Sequence, residues 1–248
     1  MINKNGIILP DVSLCAIVRD EKMNPAGGIE RFVASHVPFV EEAVIVDTGS
    51  LDGTREILEK LEGEFKNLKI YDHKFNGFAD ARNYSLSKVK TKYALVLDAD
   101  ELITHEKPSN DWKIIHEKLK LGEERYNIQI KSILPNGREK IFEEVHGGRL
   151  SITSKMRYKH SLFECMTKDL FLNESFELKF CINHFVPSRE RLEKKVERLY
   201  VQNPINFRFG MVDVGNFEKE IINKNIAPSQ IPGFTEWKSY NPQRDNYE

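Results

Sequence analysis

The chain has 248 residues, with 37 Lys and Arg against 38 Asp and Glu, so its formal net charge is −1. Hydrophobic residues make up 40% and charged residues 30%, a soluble globular balance, and the near-zero charge argues against a protein whose main work is binding polyanions such as nucleic acid. Three cysteines (Cys15, Cys165, Cys181) are too few and too scattered for a disulfide framework or structural zinc site, and no apolar run approaches the roughly 20 residues that cross a bilayer.

Residues 12–18 are an apolar run rich in β-branched side chains that ends in charge. Residues 43–46, 68–71 and 93–97 are three more such runs, the second and fourth of the series ending at Asp47 and Asp98. Continuous apolar runs of this length suit strands buried on both faces, hence a parallel sheet. Between them lie helical periodicities: 29–37 (Ile29, Phe32, Val33, Val37), 54–65 (Ile57, Leu58, Leu61, Phe65) with Ser50 or Asp52 as N-cap, and 79–89 (Ala81, Leu86, Val89). The spacing is that of successive βαβ units.

Beyond residue 104 the pattern changes. A surface helix is expected over 112–121, a hairpin over 126–145 around Pro135-Asn136-Gly137, and short strands near 148–152, 161–166 and 177–185. A helix follows from Pro187 to Tyr200. Its basic residues alternate with acids, which reads first as a solvated face and second as a surface for an anionic acceptor. Residues 203–248 hold aromatics in weakly periodic sequence and read as a tail docked on the body.

The chemistry concentrates where strands end. Arg19-Asp20-Glu21, Asp47 and Asp98-Ala99-Asp100-Glu101 put several carboxylates on the carboxyl rim of the sheet, where open α/β sheets bind ligands. Like charges there repel unless a cation or a hydrogen-bonded ligand offsets them. If the fourth strand runs through Asp100, Asp98 and Asp100 share one side of it, and such a pair suits magnesium or manganese bound to phosphates. Phe78-Ala79-Asp80-Ala81-Arg82-Asn83 opens the preceding helix, and Arg82, one turn in, suits a nucleobase or phosphate. His184 closes a strand. Unaided, it reads as a structural histidine; His73 and His160 read as surface or hydrogen-bonded residues, and His146 before Gly147-Gly148 suits a loop near the site.

The run Val46-Asp47-Thr48-Gly49-Ser50-Leu51-Asp52-Gly53-Thr54 resembles a family 2 glycosyltransferase pattern. So do Arg19-Asp20-Glu21, Ala79-Asp80-Ala81-Arg82-Asn83 and Leu95-Val96-Leu97-Asp98-Ala99-Asp100-Glu101 in that order, with weaker matches at Arg149-Leu150, Phe163-Glu164 and His184. The resemblance implies an α/β, GT-A-like (Rossmann-like), mostly parallel central sheet flanked by helices, with a C-terminal mixed β/α acceptor-side part. It implies one catalytic domain over 1–202, with 12–104 binding a nucleotide-sugar and 105–202 facing the acceptor. The implied activity is metal-dependent, inverting sugar transfer from a nucleotide-diphosphate sugar, UDP being the commonest carrier.

By position, Asp47 would contact the base, Glu21 the ribose side, Arg82 the base or diphosphate, and Asp98 the ribose. Asp100 would ligate Mn2+ or Mg2+, with His184 as second ligand. Glu164 is the first choice for general base, with Glu101, Glu143 and Glu144 as alternatives. Many members have His-Glu where this chain has Phe163-Glu164, which changes the acceptor side. The expected acceptor is a carbohydrate or lipid-linked hydroxyl, with peripheral membrane contact allowed, nucleic acid disfavoured and the cytoplasm as location. The competing readings are a nucleotide-sugar-binding module without catalysis and, ranked below it, a nucleotidyltransferase. The latter lacks its Gly-rich loop after the first strand.

Overall fold

The computed structural model describes residues 9–104, 111–141, 146–159, 165–166 and 176–187. The first half alternates as the hydrophobic runs predict: β1 (Leu9–Val18), α1 (Ile29–His36), β2 (Val40–Asp47), α2 (Thr54–Glu64), β3 (Leu68–Asp72), α3 (Phe78–Lys88) and β4 (Tyr93–Val96). The second half is mixed: β5 (Glu101–Leu102), α4 (Asp111–Leu119), β6 (Arg125–Ile133), β7 (Glu139–Ile141), β8 (His146–Ile152), β9 (Tyr158–Lys159), β10 (Cys165–Met166) and β11 (Phe176–Phe185).

One sheet of nine strands runs in the order β3-β2-β1-β4-β8-β6-β11-β5, with β7 paired to β6. β3, β2, β1 and β4 are mutually parallel, and β6 and β11 are parallel to each other. β8 enters antiparallel between β4 and β6, and β5 closes the far edge antiparallel to β11. The sheet is therefore mixed, with its parallel part in the first hundred residues. β9 and β10 form a separate two-stranded ladder.

The inner strands of the parallel part are apolar along most of their length because both faces are covered, whereas β3 at the edge keeps Lys69 and Asp72 exposed. Leu14, Ala16 and Val18 of β1 face the cluster that holds Ile29, Phe32 and Val33 of α1 and Leu58 and Leu61 of α2. Cys15 faces the other way, with Leu86 of α3, Ala94, Val96 and Met156. That alternation is the period-two geometry of a strand with helices above and below. In β6, by contrast, burial alternates residue by residue, as the sequence pattern predicts.

Two expectations are corrected here. The helix over 111–119 is not a surface element: Trp112 and Ile115 are fully buried, and Trp112 stacks on Phe39 with centroids 4.7 Å apart and planes 5° apart. Its polar residues hide a narrow apolar stripe. The residue capping α2 is Gly53, in the left-handed region at φ 95°, rather than Ser50 or Asp52. Asp52 instead accepts the N–H of Thr54 at 3.0 Å from one position further out. The expected helix after Pro187, the tail over 203–248 and the residues Glu143, Glu144, His160, Phe163 and Glu164 lie outside the described residues.

Candidate active site

Strand order reverses at β1, whose two neighbours are β2 and β4. The carboxyl ends of β1 and β4 therefore lie side by side at the switch in strand order, the place where open α/β sheets bind ligands. The loops there are braced. In the loop after β1, the N–H of Asp20 donates to Ser50 Oγ at 3.0 Å, that of Glu21 to Thr54 Oγ1 at 2.8 Å, and that of Lys22 to Asp52 Oδ2 at 3.0 Å. Asp20 Oδ1 in return accepts the N–H of Leu51 at 2.7 Å. The rows of short polar residues in both loops are thus used up locking one loop to the other.

Asp47 ends β2 and is 3% exposed. Its Oδ1 accepts the N–H groups of Gly49 and Ser50 at 2.7 and 2.8 Å, which turns the chain sharply. Its Oδ2 is buried with no hydrogen-bond partner among the described residues. A buried carboxylate oxygen left unpaired is costly, so a donor from a ligand fits it. Asp47 lines an open cavity of about 560 Å³ together with Arg19, His73, Lys74 and Phe75, within the roughly 300–1,000 Å³ usual for small-molecule sites. One wall is stiffened by His73, whose ring stacks on Tyr84 at 4.1 Å and bonds Asp80 through Nε2 at 2.7 Å.

On the other side of β1 the strand stops at Val96, so Asp98 and Asp100 do not lie on one strand face as the sequence suggests. The chain folds back in a turn, the N–H of Glu101 donating to the carbonyl of Asp98 at 3.0 Å. The two aspartates part company there. Asp98 is paired with Arg82 through Oδ1 and lies 3.6 Å from Arg149 through Oδ2. Arg82 is 3% exposed and also donates to the carbonyl of Leu97 at 3.5 Å. Arg149, from β8, pairs with Glu101, whose side chain is 2% exposed. Burial drives the Glu101 carboxyl well above the ordinary glutamate range, against the pull of Arg149. Burial pulls Arg149 down, and Glu101 and Asp98 more than offset it. Two guanidinium groups therefore face the two acids, which relieves most of the like-charge crowding at Asp98 and Glu101.

Asp100 stands apart from that quartet. Its Oδ2 lies 3.9 Å from Nε2 of His184, and Nδ1 of His184 lies 3.5 Å from Ser132 Oγ. β11 delivers His184 by pairing it with Glu101 of β5 on one side and Ser132 of β6 on the other. Among the described residues no three His, Cys, Asp or Glu side chains converge on one point. The donor set is a carboxylate with an imidazole. Such a pair fits a divalent ion that fills its other positions with phosphate oxygens and water, and the nitrogen donor suits Mn2+ better than Mg2+.

The structure thus brings Arg82 and Asp98 together, and Asp100 with His184, while Asp47 stands across β1 beside the cavity. The backbone of Glu21 anchors the braced loop, its carbonyl accepting the N–H of Ile29 at 2.8 Å. Two residues of the site carried little signal in the sequence. Asn24 is buried and donates from Nδ2 to the carbonyl of Ala99 at 2.7 Å. Arg149 is distant in sequence from the acids it neutralises, and only the order of motifs pointed to it.

A mixed α/β sheet with this strand order, its acids and ligand cavity on the carboxyl rim, is GT-A-like. Residues 26–117 match the sequence model of glycosyl transferase family 2, the family that the motifs resemble. Two curated relatives share part of it. A TPR repeat-containing protein of Synechococcus elongatus is 36% identical over 96 residues, covering 39% of this chain and 22% of that protein. A cholesterol galactosyltransferase of Borreliella burgdorferi is 26% identical over 103 residues, covering 38% of this chain and 29% of that one. The matches span less than a third of either relative's length. Among solved structures, S. aureus TarS 1-349 superposes with a TM-score of 0.52 at 17% identity, covering 94% of this chain and 81% of that one. The same protein in complex with UDP-GlcNAc gives 0.53 at 15% identity, covering 90% and 78%. These likenesses establish the fold.

Proposed function

We propose that this chain transfers a sugar from a nucleoside-diphosphate donor to an acceptor hydroxyl, with a divalent ion bound and with inversion at the anomeric carbon. The observation that carries the proposal is the separation of charge within the Asp98–Glu101 turn: Arg82 and Arg149 pair with Asp98 and Glu101, and of the acids in that turn Asp100, beside His184, is the one turned to a cation. The family 2 segment and the binding of UDP-GlcNAc by a protein of the same fold support a nucleotide-sugar donor.

In this reading the base lies in the cavity at Asp47, whose free Oδ2 accepts an N–H from the ring edge. Uracil, with a single imide N–H, suits one such acceptor. Glu21 lies toward the ribose. Asp98, fixed by its arginines, presents its partly exposed carboxylate to a ribose hydroxyl. Asp100 and His184 would hold Mn2+. When bound, that ion supplies positive charge beside the diphosphate leaving group. Arg82 and Arg149 add a fixed positive background that needs no reorganisation as the leaving group gains charge. Inversion requires the acceptor hydroxyl to approach from the face opposite the diphosphate and to lose its proton to a carboxylate. Glu164, outside the described residues, is assigned that role by its position in the motif order.

The catalytic domain is taken to run over 1–202, with 12–104 as the donor half and 105–202 as the acceptor half. The acceptor is a carbohydrate or lipid-linked hydroxyl. No described helix is long and apolar enough to cross a membrane, and the cytoplasm is the proposed location.

A thermal-shift panel of UDP, GDP and their sugars, with and without Mn2+, tests the proposal. One nucleotide series should stabilise the chain, and more strongly when metal is present. Asp100→Asn should abolish that metal-dependent shift and donor turnover while leaving the unliganded melting temperature nearly unchanged. Full turnover in Asp100→Asn overturns the assignment.

A further inference from the structure

We propose that Asn24 is a positioning residue: its side chain joins the loop after β1 to the Asp98-Ala99-Asp100 turn and so holds the two walls of the crevice in register. The inference rests on the donor-binding role assigned to that crevice. Asn24 is 6% exposed. Its Oδ1 accepts two backbone N–H groups, of Ala26 and Gly28, both at 2.9 Å. Those two donors fix which end of the amide is oxygen. The nitrogen must then point the other way, and it donates to the carbonyl of Ala99 at 2.7 Å.

Ala99 is the central residue of the turn that carries Asp98 and Asp100. The loop holding Asn24 is bonded in turn to the loop after β2, through Asp20 with Ser50 and Leu51, and Lys22 with Asp52. Ser50 is itself one of the residues wrapped around Asp47 Oδ1. A path of hydrogen bonds and one short stretch of main chain, Lys22 to Asn24, therefore runs from the Asp47 cavity to the turn beside His184. A donor that lays its base at one end and its diphosphate at the other spans this path. Its affinity depends on the two ends being held at the right separation.

Asn24→Asp separates this role from loop structure. The variant keeps the shape and the oxygen that receives Ala26 and Gly28 and sets a second oxygen against the Ala99 carbonyl; it also adds a charge, for which the uncharged Asn24→Ser is the control. Three quantities are measured by calorimetry: the affinity for a nucleoside (uridine or guanosine), for its diphosphate, and for the diphosphate with Mn2+. The expected result is unchanged nucleoside affinity and a fall of about tenfold in the enhancement that diphosphate and metal confer. Asn24→Ser, which cannot reach Ala99, should do the same. Equal loss at all three ligands, an intact enhancement, or failure of both variants to fold overturns the proposal, since each reduces Asn24 to a structural or an idle residue. If the wild-type chain binds no nucleoside diphosphate at all, the donor-binding role itself fails and the proposal falls with it.

Discussion

Glu101 and Asp98 hold one another through two reciprocal hydrogen bonds. The N–H of Asp98 donates to Oε2 of Glu101 at 2.9 Å, and the N–H of Glu101 donates to the carbonyl of Asp98 at 3.0 Å. The second carboxylate oxygen of Glu101 is taken by Arg149. The shape of the turn thus depends on a buried acid that needs its guanidinium partner.

Arg149→Met leaves that carboxylate buried without its cation, and a loss of about 3 kcal/mol in urea unfolding is expected. Glu101→Gln in the same background should recover part of the loss. A double-mutant cycle would then give a coupling of about 1–3 kcal/mol between the two positions. Simple additivity would show that the pair is not what holds the turn.

Asp47→Asn keeps the acceptor that receives Gly49 and Ser50 but places an N–H2 group where the unpaired oxygen faces the cavity. Binding of UDP should weaken by at least about tenfold with little change in melting temperature. The diphosphate of 3-methyluridine, which lacks the imide N–H, should bind the wild-type chain no better than UDP binds the variant. Calorimetric titration of the two ligands against both proteins decides this.

Asp111 opens α4 and is 2% exposed, with Oδ1 unpaired among the described residues. Burial raises its carboxyl to about 6, although Lys131 and the backbone N–H of Thr104 pull it down. Between the ordinary aspartate value and about 6, the folded chain therefore binds more protons at this site than the unfolded chain does. Stability contributed by the protonated form is present below that window and is lost as pH rises through it. Urea unfolding at steps from pH 4 to pH 7 should show this fall, and Asp111→Asn should reduce it, the remainder coming from the buried Glu101 carboxyl, which burial raises in the same direction.

Gly28 has φ 90°, and a Cβ there would stand 2.4 Å from the carbonyl oxygen of Lys22. Gly49 has φ 103° but nothing within 4 Å of such a Cβ. Gly28→Ala therefore combines backbone strain with a clash against main chain, and Gly49→Ala carries strain alone. Thermal unfolding should show Gly28→Ala as the more damaging of the two, by about 1–3 kcal/mol.

The strand and helix order of residues 12–97 was legible because β1, β2 and β4 are buried on both faces and the helices on one, so periodicity reported the layers directly. The rim acids were legible for the same reason: Asp47 and Asp98 follow where apolar runs stop. What could not be read locally was pairing across the fold. The conjecture that Asp98 and Asp100 share a strand face failed because β4 ends at Val96, and the Glu101 side chain and Asn24 then draw the chain into a turn. The burial of Trp112 was hidden because its partner Phe39 belongs to a segment more than seventy residues earlier. Nor did spacing reveal that Arg82 and Arg149, arriving from α3 and β8, converge on Asp98.

The distance in sequence between Glu101 and Arg149 has a consequence for biosynthesis. A ribosome releases the acidic turn 48 residues before the arginine that neutralises it, and the strand bearing His184 later still. During that interval the first four strands can pair, yet their ligand-bearing corner carries carboxylates still awaiting their full complement of counter-charges. The nascent sheet is expected to stay open at β4 until β8 docks there, so the order of emergence makes closing that edge and completing the site a single late event.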